Sequence, residues 1–213
     1  MFPENICILP LDLEDHEALT TKAAEALQCY HGIDMLINSG GISQRALAID
    51  TNLTTEQRLM NINFWGSVIL AKAVLPHMLA KNSGHLVCIS SLVGKFGTPL
   101  RSAYSASKHA LHGFFDSLRA ELPQSIKITM ICPGFIKTRV TINALTADGS
   151  AQGTMDNAQE NGMAAGECAL KIIKAIEKQK FEVYIGGKET IGVWIKRFFP
   201  RRFAGIIRKA KVV

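Results

Sequence analysis

Short apolar runs alternate with longer amphipathic segments along most of the chain. Runs such as MLIN, LVCI and ITMIC are separated by segments of helical periodicity that extend over ten or more residues. This alternation predicts βαβ units and a parallel sheet, because parallel strands need a long crossover that is usually a helix. Continuous apolar runs are typical of strands that are covered on both faces. The sequence therefore predicts a doubly wound α/β domain.

The predicted strands and helices follow one another in a regular order. The strands are ICILPLDL (6–13), IDMLINSGG (33–41), HLVCISS (85–91), KITMICPG (127–134) and FEVYIGG (181–187). The helices are 14–32, 54–82, 102–122 and 164–180, and Pro76 is expected to bend the second of them. A polar stretch of small residues at 138–160 is interpreted as a substrate lid.

The positive charge of the chain is concentrated at its end. The net charge is +6, and the segment 188–213 contains eight Lys or Arg and one acidic residue. A basic body would have favoured nucleic-acid binding, but a basic tail on a nearly neutral body does not, so no nucleic acid is expected as a partner. We divide the chain into a domain at 1–187 and a basic amphipathic C-terminal extension at 188–213.

The five cysteines are scattered and form no C-x-x-C pair. Three of them lie in apolar runs that are typical of a protein core. This pattern predicts free buried thiols rather than a disulfide framework or a zinc site, and we assign no metal. Free thiols indicate a reducing compartment, either the cytoplasm or the cytosolic face of an internal membrane.

Small and polar residues follow each apolar run directly. Parallel α/β sheets bind ligands beyond the carboxyl ends of their strands. The ends in this sequence are Asp12-Leu13, Asn38-Ser39-Gly40-Gly41, Ser90-Ser91 and Cys132-Pro133-Gly134. Their glycines are consistent either with close approach of a ligand to the backbone or with ordinary turns.

The segment YSASK places Tyr104 and Lys108 four residues apart, one turn from each other on a helix. A free tyrosine, with a pKa of about 10, exchanges protons poorly at neutral pH. A cation nearby lowers the pKa of a phenol by about 1–3 units and makes it usable as an acid and base. By itself the spacing favours an ordinary helix surface, because two residues at a fixed spacing often occur together by chance.

Several motifs together resemble the short-chain dehydrogenase/reductase family. ISS followed by YSASK, with Tyr104 thirteen positions after Ser91, is similar to the serine and YxxxK helix of that family. NSGG (38–41) resembles its N-N-A-G turn, MNINFWG (60–66) its catalytic asparagine segment, ICPGFIKT (131–138) its Pro-Gly segment, and LDL (11–13) its adenine-side strand end. NSGGISQR, VLPHML and ASKHALHGFF are most similar to the branch called dehydrogenase/reductase SDR family member seven. The match extends from about residue 5 to 187.

The resemblance implies a Rossmann-type fold and an NAD(P)-dependent oxidoreductase that interconverts a carbonyl and an alcohol. Tyr104 would be the acid and base, Lys108 its cation and a ligand of the nicotinamide ribose, Ser91 the donor to the substrate oxygen, and Asn63 the ligand of a relay water. Substrate binding would involve Ser91 and Tyr104. The cofactor, NADP or NAD with the branch favouring NADP, would contact Asp12, Leu13, Asn38, Ser39, Gly40, Tyr104, Lys108, Pro133, Gly134, Ile136 and Thr138. The implied partners are an apolar retinoid- or steroid-like substrate and a second copy of the chain.

One part of the family pattern is missing. The sequence contains no T-G-x-x-x-G-x-G turn, which in the family binds the pyrophosphate at a helix N-terminus. We therefore predict a sheet truncated at the N-terminus, with the first two strands missing and DMLIN at an exposed sheet edge. We interpret Met1 as an internal methionine of a longer protein. The alternative is a genuine short chain that acts as a non-catalytic partner subunit or a membrane-surface binding protein.

Other candidate sites have weaker support. His109 and His112 have a spacing compatible with metal binding, but no acidic or cysteine partner is evident, so we interpret both as helix-surface residues. Ser90 and Ser91 lack the G-x-S-x-G elbow that a hydrolase nucleophile would need.

The C-terminal extension has apolar residues at helical spacing, with basic residues between them. The apolar set comprises Ile191, Trp194, Ile195, Phe198 and Phe199, followed after Pro200 by Phe203, Ile206 and Ile207. A cationic amphipathic helix with aromatic residues is typical of binding to an anionic membrane surface, here through 189–213. The alternative is an extension that packs over the substrate pocket or against a dimer partner.

Overall fold

The structure is a computed structural model that describes residues 5–210. Within this range the strands are β1 (Met35–Asn38), β2 (Gly84–Ile89), β3 (Ile126–Pro133), β4 (Ile136–Lys137), β5 (Met163–Ala164) and β6 (Glu182–Ile185). The helices are α1 (His16–Cys29), α2 (Leu53–Met60), α3 (Gly66–Ala80), α4 (Ser102–Glu121), α5 (Asn157–Glu160), α6 (Ala165–Glu177), α7 (Ile191–Phe198) and α8 (Pro200–Arg208).

The main sheet has the strand order β1-β2-β3-β6, and all its strands are parallel. One face packs against α1, α3 and α4 through a cluster that includes Leu19, Val74 and Phe115. The other face packs against α6 through Val87, Cys168 and their neighbours. Coverage on both faces explains the continuous apolar runs and confirms the predicted Rossmann-type α/β fold.

The predicted strand at 6–13 is wrong. This segment forms no ladder with any described strand, and Ile8 is 82% exposed. A strand needs a neighbour for its backbone amides, and the described chain offers none at this position. The predicted sheet edge is confirmed, since among the strands of residues 5–210 β1 pairs only with β2, and Met35 and Ile37 are exposed.

The cysteine prediction is correct for three residues and wrong for two. Cys88, Cys132 and Cys168 are free and buried, and burial raises the pKa of the Cys88 thiol to about 12. Cys7 and Cys29, which we expected to be free, form a disulfide. The segment before α1 returns past the end of that helix, and this places the two Cα atoms 6.4 Å apart.

The predicted helix 54–82 is continuous but contains a π-helical turn at Asn61–Trp65, between α2 and α3. Pro76 lies inside α3. By length and composition alone, Leu53–Ala80 is the one helix among residues 5–210 that could cross a membrane. In the fold its apolar face packs against α1 and the sheet, as core helices do.

A buried ion pair anchors the segment 138–160. The Asp156 carboxylate accepts from Arg45 Nε at 2.7 Å, and Arg101 contacts the same oxygen at 3.4 Å. All three side chains are nearly inaccessible. Burial would raise the pKa of Asp156, but hydrogen bonds from Arg45 and Gln152 and the charges of both arginines lower it below its usual value. This pair fixes the segment to the loop after β1 and to the start of α4.

The C-terminal extension folds back onto the domain as α7 and α8. Val193 and Phe203 are buried against Leu92, Phe96 and Cys132. Residues 211–213 of the predicted extension lie outside the described residues. The packing agrees with the alternative in which the extension covers the substrate pocket.

Candidate active site

A cavity of about 880 Å³ opens at the carboxyl ends of the parallel strands. Its walls include residues that follow β1, β2 and β3, and its roof is formed by α7 and α8. This is the position that the topology of an open parallel sheet predicts for a ligand site.

Three of the four predicted catalytic side chains line this cavity, namely Ser91, Tyr104 and Lys108. Helix α4 carries both Tyr104 and Lys108 on the face toward the cavity, and the Lys108 ammonium lies 5.9 Å from the centre of the Tyr104 ring. Lys108 is 5% exposed and donates to the carbonyl oxygen of Ile89 at 3.0 Å. A buried ammonium is thus held beside a phenol at the edge of an open groove.

Ser91 lies just beyond the end of β2. Its hydroxyl donates to the carbonyl of Pro133 at 3.3 Å and accepts from the backbone amide of Val93 at 3.3 Å. The donor bond is long, so the hydroxyl proton can turn from the Pro133 carbonyl to a ligand oxygen at little cost.

Asn63 lies behind the cavity wall, within the π-helical turn, and is fully buried. Its Oδ1 accepts from Ile42 N at 2.8 Å, and its Nδ2 donates to Ile42 O at 2.9 Å and to Ser107 Oγ at 3.0 Å. Both edges of the amide are used, so its orientation is fixed. π-Helical turns of this kind are common at functional sites.

Gly41 separates Asn63 from Lys108. A Cβ at this position would lie 2.9 Å from Asn63 Oδ1 and 3.5 Å from Lys108 Nζ. The absence of a side chain therefore lets the loop after β1 pass between the two polar groups, which both face the same backbone.

The predicted cofactor contacts divide into two groups. Ser39, Gly40, Tyr104, Lys108, Pro133, Gly134, Ile136 and Thr138 line the cavity. Asp12, Leu13 and Asn38 do not: Asn38 is buried and donates to Ser67 O, and Asp12 is exposed and caps the amide of Glu14. Leu13 approaches the site indirectly, since its Cδ1 lies 2.4 Å from where a Gly40 Cβ would be.

The residues that are present fit the nicotinamide end of a dinucleotide. The glycines at 40 and 41 leave the backbone open to close approach, and the Lys108 ammonium faces the same groove. Across the groove, Gly134 lies beside the Glu189 carboxylate, which accepts from the amides of Phe135 and Gly187. No sequence motif in the chain supplies a Gly-rich pyrophosphate turn.

The comparisons with known proteins agree with this geometry. A family model described as short chain dehydrogenase matches residues 3–148. The chain belongs to the short-chain dehydrogenase/reductase family. Among curated members, it is 44% identical to dehydrogenase/reductase SDR family member 7B of Rattus norvegicus over 203 residues, 94% of this chain and 62% of that protein. It is 43% identical to dehydrogenase/reductase SDR family protein 7-like of Anopheles gambiae, over 95% of this chain and 64% of that protein.

These similarities confirm both the family and the branch that the sequence motifs indicate. The chain spans less than two thirds of the length of these relatives. A short-chain dehydrogenase from Streptomyces avermitilis superposes with a TM-score of 0.78 at 25% identity, covering 97% of this chain and 80% of that one. A short-chain dehydrogenase/reductase from Burkholderia phymatum, solved in complex with NAD, shares the fold with a TM-score of 0.80 at 19% identity, covering 91% of this chain and 75% of that one.

Much of the cavity lining is apolar, and it includes Phe96, Ile172, Ile195 and Phe203. α7 and α8 contribute Ile191, Ile195, Phe203, Ile206 and Ile207 to the lining. The sequence indicated the helical spacing of these residues, but not that one side of the extension would line the pocket.

One expectation about the histidines is wrong. His109 is exposed, as predicted for a helix surface, but His112 is 6% exposed and lies among Ser90, Cys132 and Glu182. Acidic and cysteine partners for His112 therefore exist. They come from β3 and β6, which are distant in sequence, so residue spacing on α4 carried no signal for them.

Proposed function

We propose that the chain is an NAD(P)-dependent oxidoreductase that interconverts a carbonyl and an alcohol. The observation that supports this proposal best is the presence of Ser91, Tyr104 and Lys108 in the lining of one cavity. The family membership supports the same reaction class.

The chemistry follows from the donors and the charge in this cavity. A bound nicotinamide would supply hydride to a carbonyl carbon or accept it from an alcohol carbon. In the reducing direction, Ser91 donates to the substrate oxygen and favours the negative charge that develops there. The Tyr104 hydroxyl then gives its proton to that oxygen, and the Lys108 ammonium stabilises the phenolate that remains. Lys108 keeps its position because its ammonium donates a hydrogen bond to the Ile89 carbonyl.

The expected cofactor is NADP or NAD, and we favour NADP from the branch. The B. phymatum relative was solved with NAD. A gluconate 5-dehydrogenase of Burkholderia cenocepacia, with a TM-score of 0.59 and 26% identity over 62% of this chain and 52% of that one, was solved with NADP and tartrate. In this chain Ser39, Gly40, Lys108 and the segment from Pro133 to Thr138 would hold the nicotinamide end.

Titration of the 213-residue chain with NADPH and NADH tests this function. We expect the cofactor's fluorescence to change on binding, and oxidation of the bound cofactor when all-trans-retinal or androstenedione is added. These two probes represent the retinoid and steroid classes that an apolar cavity would accept. A folded chain that binds neither cofactor would contradict the proposal and favour a non-catalytic partner subunit. Light scattering on the same sample tests our accompanying proposal that the chain forms a homo-oligomer.

We propose, secondly, that the outer face of α7 and α8 binds an anionic membrane surface. Trp194, Phe198 and Phe199 are each more than half exposed, and the rings of Trp194 and Phe198 stack 6.2 Å apart. Exposed basic residues surround them, namely Lys196, Arg197, Arg201, Arg202 and Arg208. Aromatic groups at the level of the headgroups and cations facing anionic lipid are the two features that interfacial helices combine.

Membrane binding through this face would place the cavity next to the lipid. The inner sides of the same helices roof the cavity, so an apolar substrate dissolved in lipid would enter next to the bound surface. The proposed location is the cytosolic face of an internal membrane.

Vesicle binding tests the surface directly. Phosphatidylcholine vesicles containing phosphatidylserine should bind the chain and shift the Trp194 fluorescence to shorter wavelength, and salt should weaken the binding. The double variant Trp194→Ser/Phe198→Ser, which lacks the fluorescent reporter, should no longer sediment with the vesicles. Trp65 is the matched control, because it is 48% exposed on another part of the molecule and Trp65→Ser should bind normally. Equal binding by all three proteins would contradict the proposed surface.

A further inference from the structure

A buried polar cluster lies directly behind the candidate active site and has no part in the proposed chemistry. It is centred on His112, one helical turn beyond Lys108 on α4. The His112 ring contacts Ser90 Oγ through Nε2 at 3.1 Å and the Lys95 ammonium through Nδ1 at 3.3 Å. The ammonium also pairs with the Glu182 carboxylate at 2.7 Å.

The donors in this cluster determine which ring nitrogen of His112 carries the proton. An ammonium has no lone pair, so a hydrogen bond between Lys95 and Nδ1 requires the ring nitrogen to accept. The Glu182 carboxylate is 3.4 Å from Nδ1, but it is closer to Lys95 and also accepts from the Tyr184 hydroxyl. With Lys95 as the donor to Nδ1, the ring proton is on Nε2 and is donated to Ser90 Oγ, whereas a proton on Nδ1 would be donated to Glu182.

This tautomer leaves the single hydroxyl proton of Ser90 for one other acceptor. The carbonyl oxygen of Lys108 lies 3.4 Å from Ser90 Oγ. The hydrogen bonds thus run in one direction, from Lys95 through His112 and Ser90 to the backbone of the residue that carries the catalytic ammonium. Cys132 lies 3.6 Å from Nε2, and burial raises the pKa of its thiol, so it adds no charge.

Tight packing encloses the chain of hydrogen bonds. A Cβ on Gly94 would lie 2.6 Å from Ser90 Oγ and 2.9 Å from His112 Cδ2. The turn Leu92–Gly94 therefore closes over both side chains, which leaves them little freedom to move.

Ser90 stands between two residues of the site. The carbonyl of Ile89 on one side accepts from Lys108 Nζ, and Ser91 on the other side carries the donor to the substrate oxygen. We infer that His112 is a positioning residue, which holds the end of β2 against α4 and so sets the Lys108 ammonium and the Ser91 hydroxyl relative to each other. The pair of Lys95 and Glu182 orients His112. This inference rests on the proposed function, because the positions of Lys108 and Ser91 affect the rate only if the chain catalyses that reaction.

A metal ion is the competing explanation for the cluster, because ligand atoms of His112, Cys132 and Glu182 all lie within 4.8 Å of one another. The Lys95 ammonium already neutralises Glu182, and a neutral thiol is a poor ligand. Stoichiometric zinc in the purified chain that disappears in Cys132→Ser would overturn the positioning role.

Kinetics with NADPH and all-trans-retinal tests the role of His112. His112→Leu should lower kcat by about 10- to 100-fold with KM nearly unchanged, because the reacting groups are misplaced rather than lost. His112→Gln, whose amide can donate to Ser90, should restore most of the activity. Ser90→Ala should lower kcat as much as His112→Leu does. The double variant should have the same kcat as either single variant, because both residues act through the same series of hydrogen bonds. An unchanged kcat in folded His112→Leu and Ser90→Ala would overturn the inference.

A second measurement separates this inference from the proposed function. NMR of the 15N-labelled imidazole of His112 reports the protonated nitrogen whether or not the chain turns over substrate. We expect the Nε2–H form in the wild type and a mixture in Lys95→Met. An Nδ1–H form in the wild type would overturn the inference, whereas an inactive chain with the Nε2–H form would be a failure of the proposed function.

Discussion

Tyr104→Phe is expected to reduce turnover by about 10²- to 10⁴-fold, the usual contribution of a general acid or base. The variant keeps the aromatic ring beside Lys108 and removes only the hydroxyl. Ser91 is not expected to replace it, because its hydroxyl is committed to the Pro133 carbonyl or to the substrate oxygen. Steady-state rates with NADPH and all-trans-retinal measure the loss.

The same variant should bind NADPH as the wild type does, because the groove and the Lys108 ammonium are unchanged. Tyr30→Phe is the matched control, since Tyr30 is 52% exposed and outside the cavity lining, and its rate should equal that of the wild type. A Tyr104→Phe protein with more than about a tenth of the wild-type rate would reject the phenol as the proton donor.

Asp156→Asn should destabilise the fold more than Tyr104→Phe, Tyr30→Phe or Asp50→Asn. It keeps the size of the side chain but removes the negative charge that faces the buried Arg45 and Arg101. Removing one member of a buried ion pair costs about 3–5 kcal/mol. For a chain of this length the melting temperature should fall by about 6–20 °C. Urea and thermal unfolding measure both quantities.

The effect of this substitution should depend on pH. The pKa of Asp156 is lowered in the folded protein, so its carboxylate stabilises the fold above the unfolded-state pKa of about 3.9, and this stabilisation is lost as the pH falls. The difference in the free energy of unfolding between the wild type and Asp156→Asn should therefore be large at pH 7 and small below about pH 4. Asp50→Asn, at an exposed turn, should have the stability of the wild type at both pH values. If the difference in free energy of unfolding for Asp156→Asn does not change with pH, the charge of Asp156 does not stabilise the fold.

The sequence allowed the α/β alternation to be predicted because the local signals agree with the tertiary environment. Strands covered on both faces must be apolar throughout, and for this reason the apolar runs predicted β2 and β3 correctly. The segment 6–13 has the same apolar character but forms no strand. Strand formation depends on a partner elsewhere in space, and composition carries no information about that partner.

The site was predictable to the extent that its residues are close in sequence or match a family motif. Tyr104 and Lys108 share one helix face, and Ser91 follows an apolar run. The partners of His112 and the buried Arg45–Asp156 pair join segments far apart in the chain, and no spacing links them. The Cys7–Cys29 disulfide was missed for the same reason.

The π-helical turn at Asn61–Trp65 has a consequence for the evolution of this helix. Such a turn accommodates one residue more than an α-helical turn, so losing a single residue there would restore a regular and equally apolar helix. Because the wide turn itself holds the extra residue, α2 and α3 would keep their relative orientation, and the residues within the turn would change position. Asn63 would leave the two backbone groups of Ile42 that now fix it. The hydropathy and helix propensity of the sequence would change little on such a deletion. The Asn63 side-chain amide, however, would no longer lie beside Gly41 and Lys108.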